Sequence, residues 1–195
     1  MNAIHDYIIE INERFKDYIT LNSGNTLFVD KRFTFSKNAN VLHKIKHTPL
    51  VNKLNIKEGT EVIIDPIIMH EYLGYEGEKK TSANQLFLTE NLFKISQRNI
   101  YFFKDETTNN LYSPNDYILA KKIEEEQPKS SFLIIPESTS IKYNKHRVIL
   151  HSSSLFNSNL TESTIATTDI NLGVQFYINE EEFLLFREKH FFAIN

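Results

Sequence analysis

The chain has no cysteine, and its five glycines and five prolines are thinly spread over 195 residues. Without cysteine there can be no disulfide, no thiolate nucleophile and no cysteine-ligated metal. That fits a reducing cytoplasm, which is the expected location. Sparse glycine excludes the glycine-rich loops that cradle phosphates. A net charge of −3 gives no general pull toward nucleic acid, so nucleic acid is not an expected partner. Long apolar runs are missing too. None reaches the length that crosses a bilayer, and the N-terminus lacks the basic-then-apolar order of a signal peptide. No membrane partner is expected.

Seven histidines remain as candidate bases or ligands. His43 and His47 are four apart and His70 adjoins Glu71, but no HExxH motif accompanies them, and no third ligand lies at metal spacing. Ser152-Ser153-Ser154 lacks the context of a nucleophile elbow. The expectation is a protein that is not an enzyme, with no metal and no cofactor of its own. The basic run from Lys31 to Lys57, with Arg32, Lys37, Lys44, Lys46 and Lys53 between, is expected to be a solvated face.

What is present is an ordinary globular balance, 41% hydrophobic and 24% charged. Short β-branched and aromatic runs recur at Val62–Ile64, Leu86–Leu88, Ile100–Phe103, Phe132–Ile135, Val148–Leu150, Val174–Ile178, Phe183–Phe186 and Phe191–Ile194. Polar Asn- and Ser-containing segments separate them, the pattern of an all-β fold. Gly59 and Gly173 each precede a strand-like run, where a turn of positive φ favours glycine. Pro66 and Pro136 suit strand ends. Ile4 to Ile19 has helical spacing, and Ser113-Pro114 resembles a helix start, but crowded β-branched residues favour strand in the first region. Strand is expected in both.

The second half restates the first. Asp6-Tyr7-Ile8-Ile9 returns as Asp116-Tyr117-Ile118-Leu119, and Glu58–Ile64 is matched with Leu172–Ile178. Leu92–Phe103 returns as Phe183–Ile194. Three blocks in one order predict two copies of one fold. The polar stretch after Lys104 has no apolar period and is expected to join them.

Four blocks of the second half resemble the GroES-type co-chaperonins, the ring-forming lids of chaperonins. Asn115–Lys122 is similar to the family's "hDrvlVkr", Ser130–Pro136 to "sGGIilP" and Lys145–Leu150 to "kGkVvaV". Glu182–Ile194 is similar to "eeYlilrEdDIlavi". The first half carries the same order more faintly in His5–Ile9, Ser23–Val29, Ile56–Ile64 and Leu92–Phe103. Chloroplast co-chaperonins are a precedent for such a tandem. The resemblance implies two GroES-like small β-barrels, 1–104 and 113–195, with 105–112 as a short polar linker. It further implies a co-chaperonin that binds an ATP-dependent, GroEL-type chaperonin ring and self-associates into a ring-like homo-oligomer. The binding tips would be Leu27, Phe28 and Val29 in one mobile loop and Phe132, Leu133, Ile134 and Ile135 in the other. The rival class is an assembly protein, for example phage-encoded, that reuses the same barrel.

Overall fold

A computed structural model describes residues 5–12, 18–20, 23–28, 37, 39–66, 68, 87–89, 91–124 and 143–194. Among them lie sixteen strands and three single 3-10 turns. Lys37 and Ile68 have helical backbone. The first-half strands are β1 (Tyr7–Glu10), β2 (Tyr18–Thr20), β3 (Thr26–Phe28), β4 (Leu42–His47), β5 (Glu61–Ile64), β6 (Phe87–Thr89), β7 (Leu92–Ile95) and β8 (Ile100–Lys104). Next come β9 (Leu111–Ser113), β10 (Tyr117–Glu124), β11 (Tyr143–Leu150), β12 (Ser153–Ser154) and β13 (Ile165–Thr168). The chain then forms β14 (Val174–Ile178), β15 (Glu181–Arg187) and β16 (Phe191–Ile194). The all-β expectation holds, and the described apolar runs fall in β5, β6, β8, β11, β14, β15 and β16. Phe132–Ile135 lies outside the described residues.

One sheet has eight strands in the order β12-β9-β8-β5-β4-β1-β7-β6, and another has six, β14-β15-β10-β11-β13-β16. β2 and β3 form a separate hairpin. Both larger orders are open at their ends among the described residues, without barrel closure.

Within the larger sheet, β6-β7-β1-β4-β5-β8 has the same chain connectivity as the whole of the smaller one. The hydrogen bonds fix which residues correspond. Gly59 N–H donates to Ile45 O at 2.8 Å, and Ile45 N–H to Thr60 O at 3.0 Å. Ser163 N–H donates to Leu150 O at 2.8 Å, and Leu150 N–H to Thr164 O at 2.9 Å. Ile45 therefore corresponds to Leu150, Gly59 to Ser163 and Thr60 to Thr164. Gly59 and Ser163 both have positive φ, +88° and +67°. The pairing of β5 with β8 slips between Ile63 and Ile64, and that of β13 with β16 slips between Thr167 and Thr168. Each copy also closes on a 3-10 turn, Gln97–Asn99 or Glu188–His190.

Two expected matches are corrected by this register. The counterpart of Glu58–Ile64 is Glu162–Thr168, not Leu172–Ile178; β14 instead takes the place of β6. Gly173 has φ −80°, so it is not a positive-φ turn residue. Its lack of a side chain has a steric cause, since a Cβ there would lie 2.6 Å from the Phe186 ring. The Asp6 and Asp116 blocks are also one residue out of step: Tyr7 pairs with Ile95 as Ile118, not Tyr117, pairs with Phe186. A one-residue slip turns every side chain to the other face. The match of Leu92–Phe103 with Phe183–Ile194 agrees with the ladders.

The inner faces then correspond position by position. Tyr7, Ile9, Ile45, Val62, Phe93 and Ile95 belong to the first core cluster. Ile118, Ala120, Leu150, Ala166, Leu184 and Phe186 take their places in the second. Volume is traded between neighbours: alanine replaces Ile9 and Val62, and phenylalanine replaces Ile95 and Ile100, the latter as Phe191. Volume-conserving exchanges of this kind preserve a core while erasing sequence identity.

The first cluster does not stop at the first copy. Leu119, Phe176, Phe183 and Leu185 are buried in it, with Tyr117 and Ile178 packed against it. They come from the outer face of the second copy and share this cluster with Tyr101, Phe103, Leu42 and Leu111, which pack against its edge. The Tyr101 ring lies 4.7 Å from Tyr117 and 5.7 Å from Phe176. β12, from the second half, also pairs in parallel with β9. Residues 105–110 turn the chain from β8 into β9, with Asp105 Oδ1 accepting from Thr107 N–H at 3.0 Å and Thr108 N–H at 2.8 Å. The Thr108 N–H and, after it, the Thr108 Oγ1 hydroxyl, which donates to the same oxygen at 3.0 Å, hold the Asp105 carboxyl below its ordinary value, with smaller help from Thr107 N–H.

Candidate protein-docking surface

The hairpin of β2 and β3 lies between β1 and β4 in the chain, where the resemblance places a binding loop. Tyr18 pairs with Phe28, Ile19 with Leu27 and Thr20 with Thr26. Leu27 is 53% exposed and Phe28 72% exposed, so neither belongs to either core cluster. Val29 lies outside the described residues, as does the whole second tip, Phe132, Leu133, Ile134 and Ile135. The corresponding segment of the second copy runs between β10 and β11.

Another pair of apolar tips emerges from the register. Leu50 and Val51 are exposed on the turn between β4 and β5. Counting on from the Ile45–Leu150 match, their counterparts are Leu155 and Phe156, which are exposed as well. Ordered backbone supports both turns. Asn52 Nδ2 donates to Ile56 O at 2.6 Å, and Tyr7 Oη donates to Asn52 Oδ1 at 2.9 Å. In the second copy Ser154 Oγ accepts from Phe156 N–H at 2.9 Å and Asn157 N–H at 2.8 Å, and it donates to Glu188. Below them Ile56 and Leu160 are buried at matching positions. These tips were passed over in the sequence because they sit in polar loops. The signal available was the recurrence of Leu-x-Asn: Leu50-Val51-Asn52 and Leu155-Phe156-Asn157.

The three serines at 152–154 are all buried. Ser152 Oγ accepts from Leu119 N–H at 2.9 Å, and Ser153 Oγ accepts from Glu162 N–H at 3.0 Å. They replace backbone partners where β11 leaves the sheet.

The histidine pair on β4 diverges. His43 is buried and its Nε2 meets Asn40 O at 2.7 Å, an acceptor that calls for the N–H tautomer at that nitrogen. Burial lowers its pKa to about 4, against a smaller upward pull from that carbonyl. His47 faces Glu58 at 3.3 Å on the surface. Among the described residues no group of three or more acids and histidines is placed to hold a metal. Three lysines of the basic run have partners: Lys46 with Glu10 at 3.4 Å, Lys57 with Glu106 at 3.2 Å, and Lys37 at 5.9 Å from the Tyr177 ring.

The second copy has a polar anchor at its entry. Arg187 pairs with Asp116, stacks 3.8 Å from the Tyr117 ring centroid and donates to Tyr117 Oη at 2.7 Å. Burial raises the pKa of Tyr101, which packs beneath, and Asp65 adds to the rise.

Compared with known proteins, the chain matches no family model and no curated protein.

Proposed function

We propose that this chain is a co-chaperonin of the GroES type that docks apolar tips on an ATP-dependent chaperonin ring and caps its folding chamber. The observation that carries this reading is the exposed Leu27–Phe28 tip on a hairpin between β1 and β4, the place the sequence blocks assign to a binding loop. The repeated six-strand order supports a tandem of two such units, with the second tip at Phe132–Ile135.

The energetics favour weak, multiple contacts. Burying each large apolar side chain gains roughly 1.5–3 kcal/mol, while ordering each loop residue costs about 1–2 kcal/mol. One tip nearly breaks even, so affinity comes from several tips engaging one ring, the later ones intramolecularly. Self-association of the chain serves the same end. Weak single contacts also allow release when the ring turns over ATP.

The test is co-sedimentation of the purified chain with a chaperonin ring, with and without ATP. Nucleotide-dependent retention is expected, and Leu27→Ser with Phe28→Ser should cut it at least severalfold while leaving the unfolding midpoint unchanged. Retention that ignores both nucleotide and the double substitution overturns the reading.

A second reading is a structural assembly protein built on the same fold. The tips Leu50-Val51 and Leu155-Phe156 favour it, because they are exposed on turns held by side-chain hydrogen bonds, which suits a permanent neighbour. Loss of assembly on Val51→Ser with Phe156→Ser, with chaperonin retention absent, would select it.

A further inference from the structure

We propose that β16 is a self-association edge, at which two copies of the chain meet across a twofold axis with their β16 strands antiparallel. The proposal is independent of chaperonin binding.

The register between the halves supplies the reason. β16 corresponds to β8, and the two edges have different fates. β8 is paired on both sides, with β5 and with β9, and Phe103 stands opposite Tyr112 with ring centroids 6.2 Å apart. β16 ends its sheet and pairs only with β13 among the described residues. Tyr101, which packs on Tyr117 and Phe176, has Phe192 as its counterpart, and Phe192 is 70% exposed. Ile194, the counterpart of Phe103, is exposed too. Phe191-Phe192-Ala193-Ile194 contains no charge and no proline, the usual means of blunting an open edge. The chain thus repeats at β16 the half-interface that it fills at β8.

Two occupants are possible in a second chain. Head-to-tail stacking would bring up the outer face of another first copy. That face has Ile8 and Leu92 in place of Leu119 and Phe183, but Ile8 is already buried, and Asp6, Thr89 and Lys94 stand where the second copy carries Tyr117, Phe176 and Leu185, so the apolar complement is much reduced. A second β16 supplies it. Antiparallel pairing joins the edges by main-chain hydrogen bonds, and Phe192 and Ile194 of each strand cover the other. A patch meeting itself across a twofold axis is also the commonest closed arrangement.

The chain has no cysteine, so introduced thiols report contacts cleanly. Sedimentation equilibrium of the full chain should give a species near twice 22.9 kDa. Phe192→Lys brings like charges together near the axis and should raise the dissociation constant roughly tenfold or more. Its unfolding midpoint, extrapolated to the monomer, should not move, because the side chain is exposed. With Phe192 of each strand facing Ile194 of the other, Ala193 lies at the axis, and Ala193→Cys should form a disulfide-linked dimer under mild oxidation. Lys94→Cys should not. A chain that remains monomeric at high concentration overturns the proposal. So does a dimer indifferent to Phe192→Lys, or a larger oligomer in which Ala193→Cys links only to Lys94→Cys.

Discussion

β7 and β15 hold the same place in two sheets of the same connectivity, yet only one of them alternates. In β7, Phe93 and Ile95 are buried while Leu92 and Lys94 are partly exposed. In β15, Phe183, Leu184, Leu185 and Phe186 are all buried. A strand that alternates has one wet face; a continuous apolar run is covered on both. Although Ile8 on the outer face of β1 is also buried, at this strand position the second copy has two roles where the first has one. Its inner face holds its own core, and its outer face completes the core of its neighbour.

Exchanging residues between equivalent positions tests this asymmetry most severely. Leu185→Lys installs the first copy's residue in the shared core and should cost roughly 3–5 kcal/mol. The reverse change, Lys94→Leu, falls at a partly exposed position beside Ile8 and should stay within about 0.5 kcal/mol of the original. Urea unfolding of the two variants measures both. Equal effects would mean that the outer faces are alike.

A smaller difference separates His43 from Val148, its counterpart in the second core. The unfolded imidazole gains its proton near pH 6.5, the folded one only near pH 4. Between those values the unfolded chain binds the extra proton, so stability is full above about pH 6.5 and falls as the pH drops toward 4. The loss attributable to this group is about 3 kcal/mol. His43→Val, with the side chain the second copy uses, should flatten that slope. Denaturant midpoints at pH 7 and pH 4.5 measure it, and an unchanged slope would show that His43 is not the group responsible.

The least effect belongs to the turn pair. Gly59→Ser should cost about 1 kcal/mol, because a side chain is disfavoured at positive φ. Ser163→Gly should be neutral or slightly stabilising. Thermal midpoints suffice to compare them, and a neutral Gly59→Ser together with a destabilising Ser163→Gly would argue against a common turn.

The same residues explain what could be read in advance. The closing blocks aligned correctly because each contains a polar 3-10 turn at a fixed distance from apolar strands, and capping of Ser96 by Asn99 and of Arg187 by His190 preserves that spacing. β13 was missed because its inward residues are Ala166 and Thr168, too small to mark a buried strand. Larger side chains opposite, Phe186 and Phe191, supply the volume. The neighbouring Val174–Ile178 looked more like β5 and drew the match away. Copy-to-copy docking was concealed differently: Phe183–Phe186 lacks alternation, but a single barrel strand was expected there. Of the candidate tips, Leu27 and Phe28 could be read because they form an apolar step after a polar run. Leu50-Val51 and Leu155-Phe156 became visible only when hydrogen bonds fixed the register.

Differential scanning calorimetry of the whole chain bears most directly on the shared core. If the outer face of the second copy completes the core of the first, both copies unfold together, in one transition whose calorimetric and van't Hoff enthalpies agree. Two resolved transitions, or a calorimetric enthalpy well above the van't Hoff value, would mean that the halves stand independently.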